Sequence, residues 1–187
     1  MRNPRRKLLL LALVALILAL AAQMSVAYFS TTGTATNVVT SGGIRLTIHE
    51  VTDGGKPFPK NGVKVIPGDV VHKEVFVENS FDHPFWLRVR LVWGDDSERL
   101  DAESALQITD LNDSEWILHS DGYYYYHRIL EPREFTEPLF KEVHLVGDLV
   151  DQHDIGTALT ITVKAEAVQS EHNPAQYPWD ASGWPEV

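Results

Sequence analysis

His49-Glu50 is the pair of residue types with which a helical zinc peptidase begins its site; a second His four residues on completes it. The chain continues Val51-Thr52-Asp53, so that second ligand is missing. The other seven histidines are His72, His83, His119, His127, His144, His153 and His172, and no two of the eight stand four apart. Alternation puts His72 and His144 on solvent-facing positions. Asp148, Asp151, His153 and Asp154 make the best metal-like group. Their oxygens suit Ca²⁺ but the imidazole does not, and the calcium-loop spacing is absent, so the stretch reads as an acidic loop. Asp95, Asp96 and Glu98 form a similar acidic turn. Ser41-Gly42-Gly43 lacks the preceding Gly of a nucleophile elbow, and no strand-to-helix turn follows it. No glycine loop suited to a phosphate is present. The chain has no Cys, which removes disulfides, thiolate catalysis and thiolate metal ligands together. The expectation is a protein that is not an enzyme, with no catalytic residue, no metal and no cofactor.

What would position any site is strand. Ile44, Leu46 and Ile48 alternate with Arg45, Thr47 and His49 within residues 42–50. Phe85, Leu87, Val89, Leu91 and Trp93 alternate with Trp86, Arg88, Arg90 and Val92, and Leu159 to Ala167 do the same. Period two with β-branched and aromatic residues predicts half-buried antiparallel strands. Weaker strand patterns cover 70–78, 115–119, 122–130 and 140–146. Residues 101–108, opened by Asp101 with Ser104 three on, form the longest helical candidate. Turns are marked by Asp53-Gly54-Gly55, Asn61-Gly62, Pro67-Gly68-Asp69, Gly94-Asp95-Asp96, Asp121-Gly122 and Gly147-Asp148. Many short strands between such turns predict an all-β fold: an antiparallel two-sheet sandwich of jelly-roll type, with few or no helices.

Charge divides the chain. It carries 16 Lys+Arg and 26 Asp+Glu, a net charge of -10. Residues 1–27 hold four of the cations and no acid, leaving 12 cations against 26 acids after them. So acidic a surface repels phosphate backbones, which excludes nucleic acid as the expected partner. Arg2, Arg5, Arg6 and Lys7 precede an unbroken apolar run at residues 8–22. As a helix that run spans roughly 22 Å, short of the roughly 30 Å hydrocarbon core. A basic head, a short apolar run and the small residues Ser25 and Ala27 match a secretory signal peptide over residues 1–27, with Tyr28 next. Retention as an anchor is the alternative; otherwise contact with membrane is expected only through this leader, before cleavage. Residues 28–41 follow as a linking segment. Its first 13 residues contain no charge and no Pro, only Tyr, Phe, Val and many Thr among small residues. An uncharged, β-prone segment at a freed terminus is an edge-pairing element. Tyr28 would start the strand, and Phe29, Thr31, Gly33, Ala35, Asn37 and Val39 would share one face. The sandwich itself is assigned to residues 42–170. Residues 171–187, with three Pro and two Trp, read as an irregular arm that Trp179 and Trp184 would pin to an apolar groove.

Several short motifs, each common alone, are specific when read in order. Ala27-Tyr28-Phe29-Ser30 ends the leader, and Gly42-Gly43-Ile44-Arg45-Leu46-Thr47-Ile48 opens a strand. Ile66-Pro67-Gly68-Asp69 leads to Val75-Phe76-Val77-Glu78-Asn79-Ser80; Asp121-Gly122-Tyr123-Tyr124-Tyr125-Tyr126 and Pro138-Leu139-Phe140 follow. The last strand ends Lys164-Ala165-Glu166-Ala167-Val168-Gln169. Over nearly the whole chain after the leader, this order resembles the family of secreted proteins processed by the SipW-type signal peptidase, which includes TasA and camelysin. The resemblance implies a Gram-positive source and a jelly-roll subunit of a biofilm matrix fibre. It also implies donor-strand complementation, in which residues 28–40 leave their own fold and complete a sheet in the next subunit. Partners would then be further copies, head to tail, and accessory matrix proteins, in the extracellular matrix or at the cell surface. Two other readings stand beside it. One is a monomeric surface module that holds glycan or peptide on exposed Trp and Tyr. The other is a metallopeptidase, because camelysin-like proteins are so classed.

Overall fold

The computed structural model describes residues 27–29, 44–95, 101–150, 154 and 157–185. The strands are β1 (Ala27–Phe29), β2 (Leu46–Val51), β3 (Val63–Val65), β4 (Val70–Asn79), β5 (Phe85–Asp95), β6 (Leu106–Leu111), β7 (Trp116–Leu118), β8 (Tyr124–Tyr126), β9 (Phe140–Leu145) and β10 (Ala158–Gln169). One helical turn, α1 (Ala102–Ala105), precedes β6. A six-stranded sheet has the order β3-β1-β10-β5-β8-β7, and a four-stranded sheet the order β2-β4-β9-β6. The chain crosses between sheets at nearly every connection, the wrapping expected of a jelly roll. The fold is the all-β two-sheet sandwich that alternation predicts. Among the described ladders all are antiparallel except that of β1 with β10.

The spine of the larger sheet is the β5–β10 ladder, in register from Leu159 opposite Asp95 to Gln169 opposite Phe85. Its inward residues Phe85, Leu87, Val89, Ile161, Val163 and Ala165 are buried against Leu46, Val75, Val77, Leu106, Val143 and Leu145 of the smaller sheet. Each large apolar side chain buried this way contributes about 1.5–3 kcal/mol. Pro67 and Gly68 form the tight turn into β4. Asp69 N–H donates to Ile66 O at 3.0 Å, and Gly68 has φ +94, which a side chain would resist. Asn79 closes β4: its amide donates to His83 O and Leu130 O, both at 3.0 Å, and its oxygen accepts from Phe81 N–H at 2.9 Å.

Three elements depart from expectation. The helix predicted over 101–108 stops after one turn. Asp101 caps it, accepting from the Ser104 hydroxyl at 2.6 Å, but Leu106 and Ile108 then pair with β9 and face the core. Sheet pairing overrides a weak local helix signal. The strand expected over 122–130 shortens to Tyr124–Tyr126. A three-residue β3 lies where only turn signals were read, because it supplies β1 with an antiparallel neighbour.

Candidate functional site at the N-terminal strand and beneath the C-terminal arm

Tyr28 and Phe29 lie in β1, within the sheet of their own chain. Ala27, Tyr28 and Phe29 stand opposite Val65, Lys64 and Val63, while Tyr28 and Phe29 stand opposite Ala158 and Leu159 of β10. The main chain is thus paired with β3 across the point where the leader would be cut, and with β10 from Tyr28 onward. Thr31, Gly33, Ala35, Asn37 and Val39 lie outside the described residues. So does the leader before Ala27, and no described helix is long and apolar enough to cross a membrane.

The sequence reading left the outer face of β5 and β10 half-exposed. It is covered instead by residues 170–185. Trp86, Val168 and Ala181 form a second buried cluster with Ile129, Ala175 and Trp184 packed on it. Asn173 ties the arm into a loop, its amide donating to Ser182 O at 3.0 Å and Gln169 O at 3.2 Å. Tyr123 and Tyr125, whose rings alternation turns outward, are 4% and 2% exposed, so they fill a covered face rather than presenting a sticky surface. Trp179 and Trp184 do pin the arm. Tyr125 meets both edge-on, and Tyr177, Trp179 and His119 stack in a ladder at centroid spacings of 5.0 and 5.6 Å.

Arg88 organises that face. It donates to Glu166 at 2.7 Å, to the Tyr125 hydroxyl at 3.2 Å and to Pro185 O at 3.0 Å. Its guanidinium lies 3.9 Å from the Tyr123 ring centroid and 4.7 Å from that of Trp184, both in cation–π range. Tyr125 in turn donates to Asp121 at 2.7 Å, and Tyr123 to Glu166 at 3.2 Å. Burial would lower the Arg88 pKa, yet Tyr125 and Glu166 hold it above its ordinary value. Burial would raise the Asp121 carboxyl, but Tyr125, the Tyr123 amide, His119 and Arg88 hold it below the usual carboxylate range. Sequence reading missed this network. The signal available was the apolar outward pair Trp86 and Val168, side by side in register.

A second buried cation was also missed. Lys73 points into the sandwich where β4 bulges against β9, fully buried, with its ammonium 3.0 Å from Glu50 and over the Phe58 ring. Burial pushes its pKa down despite the Glu50 carboxylate. His49 and Glu50 therefore face opposite ways, as neighbours in a strand must. Glu50 meets Lys73, while His49 stacks on Phe76 and reaches Glu78 at 2.9 Å outside. Asp148 is exposed, Asp154 is buried, and Asp151 and His153 lie outside the described residues, as do Ser41, Asp96 and Glu98. Among the described residues no three His, Cys, Asp or Glu are grouped to hold a metal ion. What the described residues offer chemically is main-chain pairing at β1 and aromatic packing beneath the arm.

No family model matches the chain, and no curated protein or solved structure matches it.

Proposed function

We propose that this protein is a secreted structural subunit of an extracellular, biofilm-type matrix fibre, assembled when residues 28–40 leave their own sheet and complete that of the next copy. The observation that carries the reading is the place of β1. It is a three-residue strand held between β3 and β10, with a parallel ladder on the β10 side. Parallel pairing is slightly weaker per residue than antiparallel, which favours exchange. Residues 28–40 number 13, and β10 is 12 residues long. The uncharged segment therefore matches the length of its partner strand. A neighbour's copy of it can satisfy the same main-chain groups, with β10 and β3 as the acceptor walls.

The leader fits this scheme. The bond after Ala27 lies within the β3 ladder and just before the β10 ladder begins at Tyr28, so cutting before β1 settles into the sheet would release the strand at that moment. At high salt, a chain lacking residues 28–40 is expected to form no fibres by electron microscopy where the processed chain forms them. Fibres from the truncated chain overturn the reading.

One observation favours a second reading, a monomeric surface module: the Tyr177–Trp179–His119 ladder ends in a Tyr177 ring that is 46% exposed. Saturable calorimetric binding of an oligosaccharide or peptide, lost in Tyr177→Ala, by a protein that never polymerises would decide for it.

A further inference from the structure

The two long sides of the sandwich, where its sheets end, carry opposite charge. One is made by the outer strands β2 and β3 and the connection between them, and it exposes Arg45, Lys56, Lys60 and Lys64. Its acids are fewer: Asp53 in the loop, and Glu50, which is turned inward onto Lys73. The other side is made by β6 and β7 and the turn joining them. Residues 101–127, which build it, contain six carboxylates and no Lys or Arg. Asp101, Glu103, Asp110 and Asp113 are exposed there, and Glu115 lies 3.1 Å from His127. The acidic side also exposes Leu111, Ile117 and Leu118, the last at 58%.

We propose that these two sides are the complementary halves of one interface, and that the partner is a second copy of this chain docked with its β2/β3 side against the first copy's β6/β7 side. Lys on an edge strand ordinarily discourages pairing. Here the charges discriminate. Two basic sides repel, two acidic sides repel, and only the unlike pair attracts, so a closed two-fold dimer is disfavoured and a head-to-tail contact is favoured. Strand directions agree with this. From the ladders, β3 and β7 run the same way in their sheet, so a copy displaced sideways without turning lays its β3 parallel to the first copy's β7. Both sheets end on each side, so one docking extends both, and it covers the apolar residues of the acidic side. The contact does not require residues 28–40 to leave their sheet and stands apart from strand donation.

The test is sedimentation velocity of the full chain in a non-ionic detergent, at low and high salt. Association at up to about 100 µM is expected at low salt and should weaken at least about tenfold at high salt, because exposed pairs are screened. Lys56→Glu with Lys60→Glu, and separately Glu103→Lys with Asp113→Lys, should each abolish it. All four positions are exposed, and circular dichroism melts check that both variants fold. Mixing the two variants should restore a one-to-one contact, since the first keeps its acidic side unaltered and the second its basic side. A chain that stays monomeric at low salt, a closed dimer indifferent to salt, or variants that fail to rescue one another would overturn the proposal.

Discussion

The two outer faces of this sandwich start from the same alternating pattern and end differently. On the larger sheet the arm roofs the outward residues, and Arg88, Tyr123 and Tyr125 are buried there. On the smaller sheet the outward residues His49, His72, Phe76 and Glu78 stay half-exposed, joined in pairs such as His49–Glu78. The difference shows that a strand's outward polar residue has no fixed worth. Whether a cover arrives decides if it is a solvated charge or a buried one that must be fully paired.

The largest expected effect is therefore at Arg88. Arg88→Met keeps an apolar stem but strips the partner from Glu166, whose carboxylate is 13% exposed. Leaving a buried partner unpaired costs about 3–5 kcal/mol. Urea denaturation should show a loss of about 3 kcal/mol; a loss below about 1 kcal/mol would mean that the roofed face is wet and the contrast between the faces is false.

Trp184→Ala comes next. The half-buried ring packs on the Trp86 cluster and its N–H donates to Pro178 O at 3.2 Å. Truncating a buried Trp costs about 3–5 kcal/mol, and partial exposure brings the expectation to about 2. Hydrogen exchange should quicken in β7, β8 and the arm while the smaller sheet keeps its protection. Uniform loss of protection across both sheets would show that the arm is part of one cooperative core.

How much of this was legible beforehand follows from the same contrast. Period two in residues 85–93 and 159–167 gave the inner faces of β5 and β10 because their burial is set by the strands' own pleat. Pro67-Gly68 gave its turn and Asn79 its strand end, since both act on adjacent backbone. The roof could not be read, because it depends on residues about 90 positions from Arg88 folding back, a long-range event without local period. Lys73 was hidden for another reason. Alternation turns Lys73 inward with Val75 and Val77, opposite His72, but nothing local shows the Glu50 carboxylate on the neighbouring strand that meets it there. At the candidate site, the lack of charge in residues 28–40 was legible, but the pairing of β1 with β10 and β3 was not.

Acid should separate the two faces. Asp121 holds its folded pKa below the ordinary carboxylate value, so it contributes stability above that ordinary value and loses it as pH falls through the lower folded one. Below pH about 4 the arm should loosen first, read as a change in Trp fluorescence before the global unfolding transition. Asp121→Asn should abolish that early step. If the early step persists in the variant, another carboxylate carries it.

The smallest effect belongs to the open face, and it is the sharper control. His49→Ala removes a pair whose side chains are 33% and 24% exposed. Such pairs contribute about 0–1 kcal/mol, because solvent already stabilises both partners and two side chains must be ordered to meet. The ring also stacks on Phe76 at 5.1 Å and leans on Phe135, itself 49% exposed, which adds contact but little desolvation. The expected loss is below about 1 kcal/mol, with no change in exchange on the arm-covered side. A loss near that of Arg88→Met would mean that the open face is itself covered, by another chain or by a part of this one outside the described residues, since no described segment lies over it.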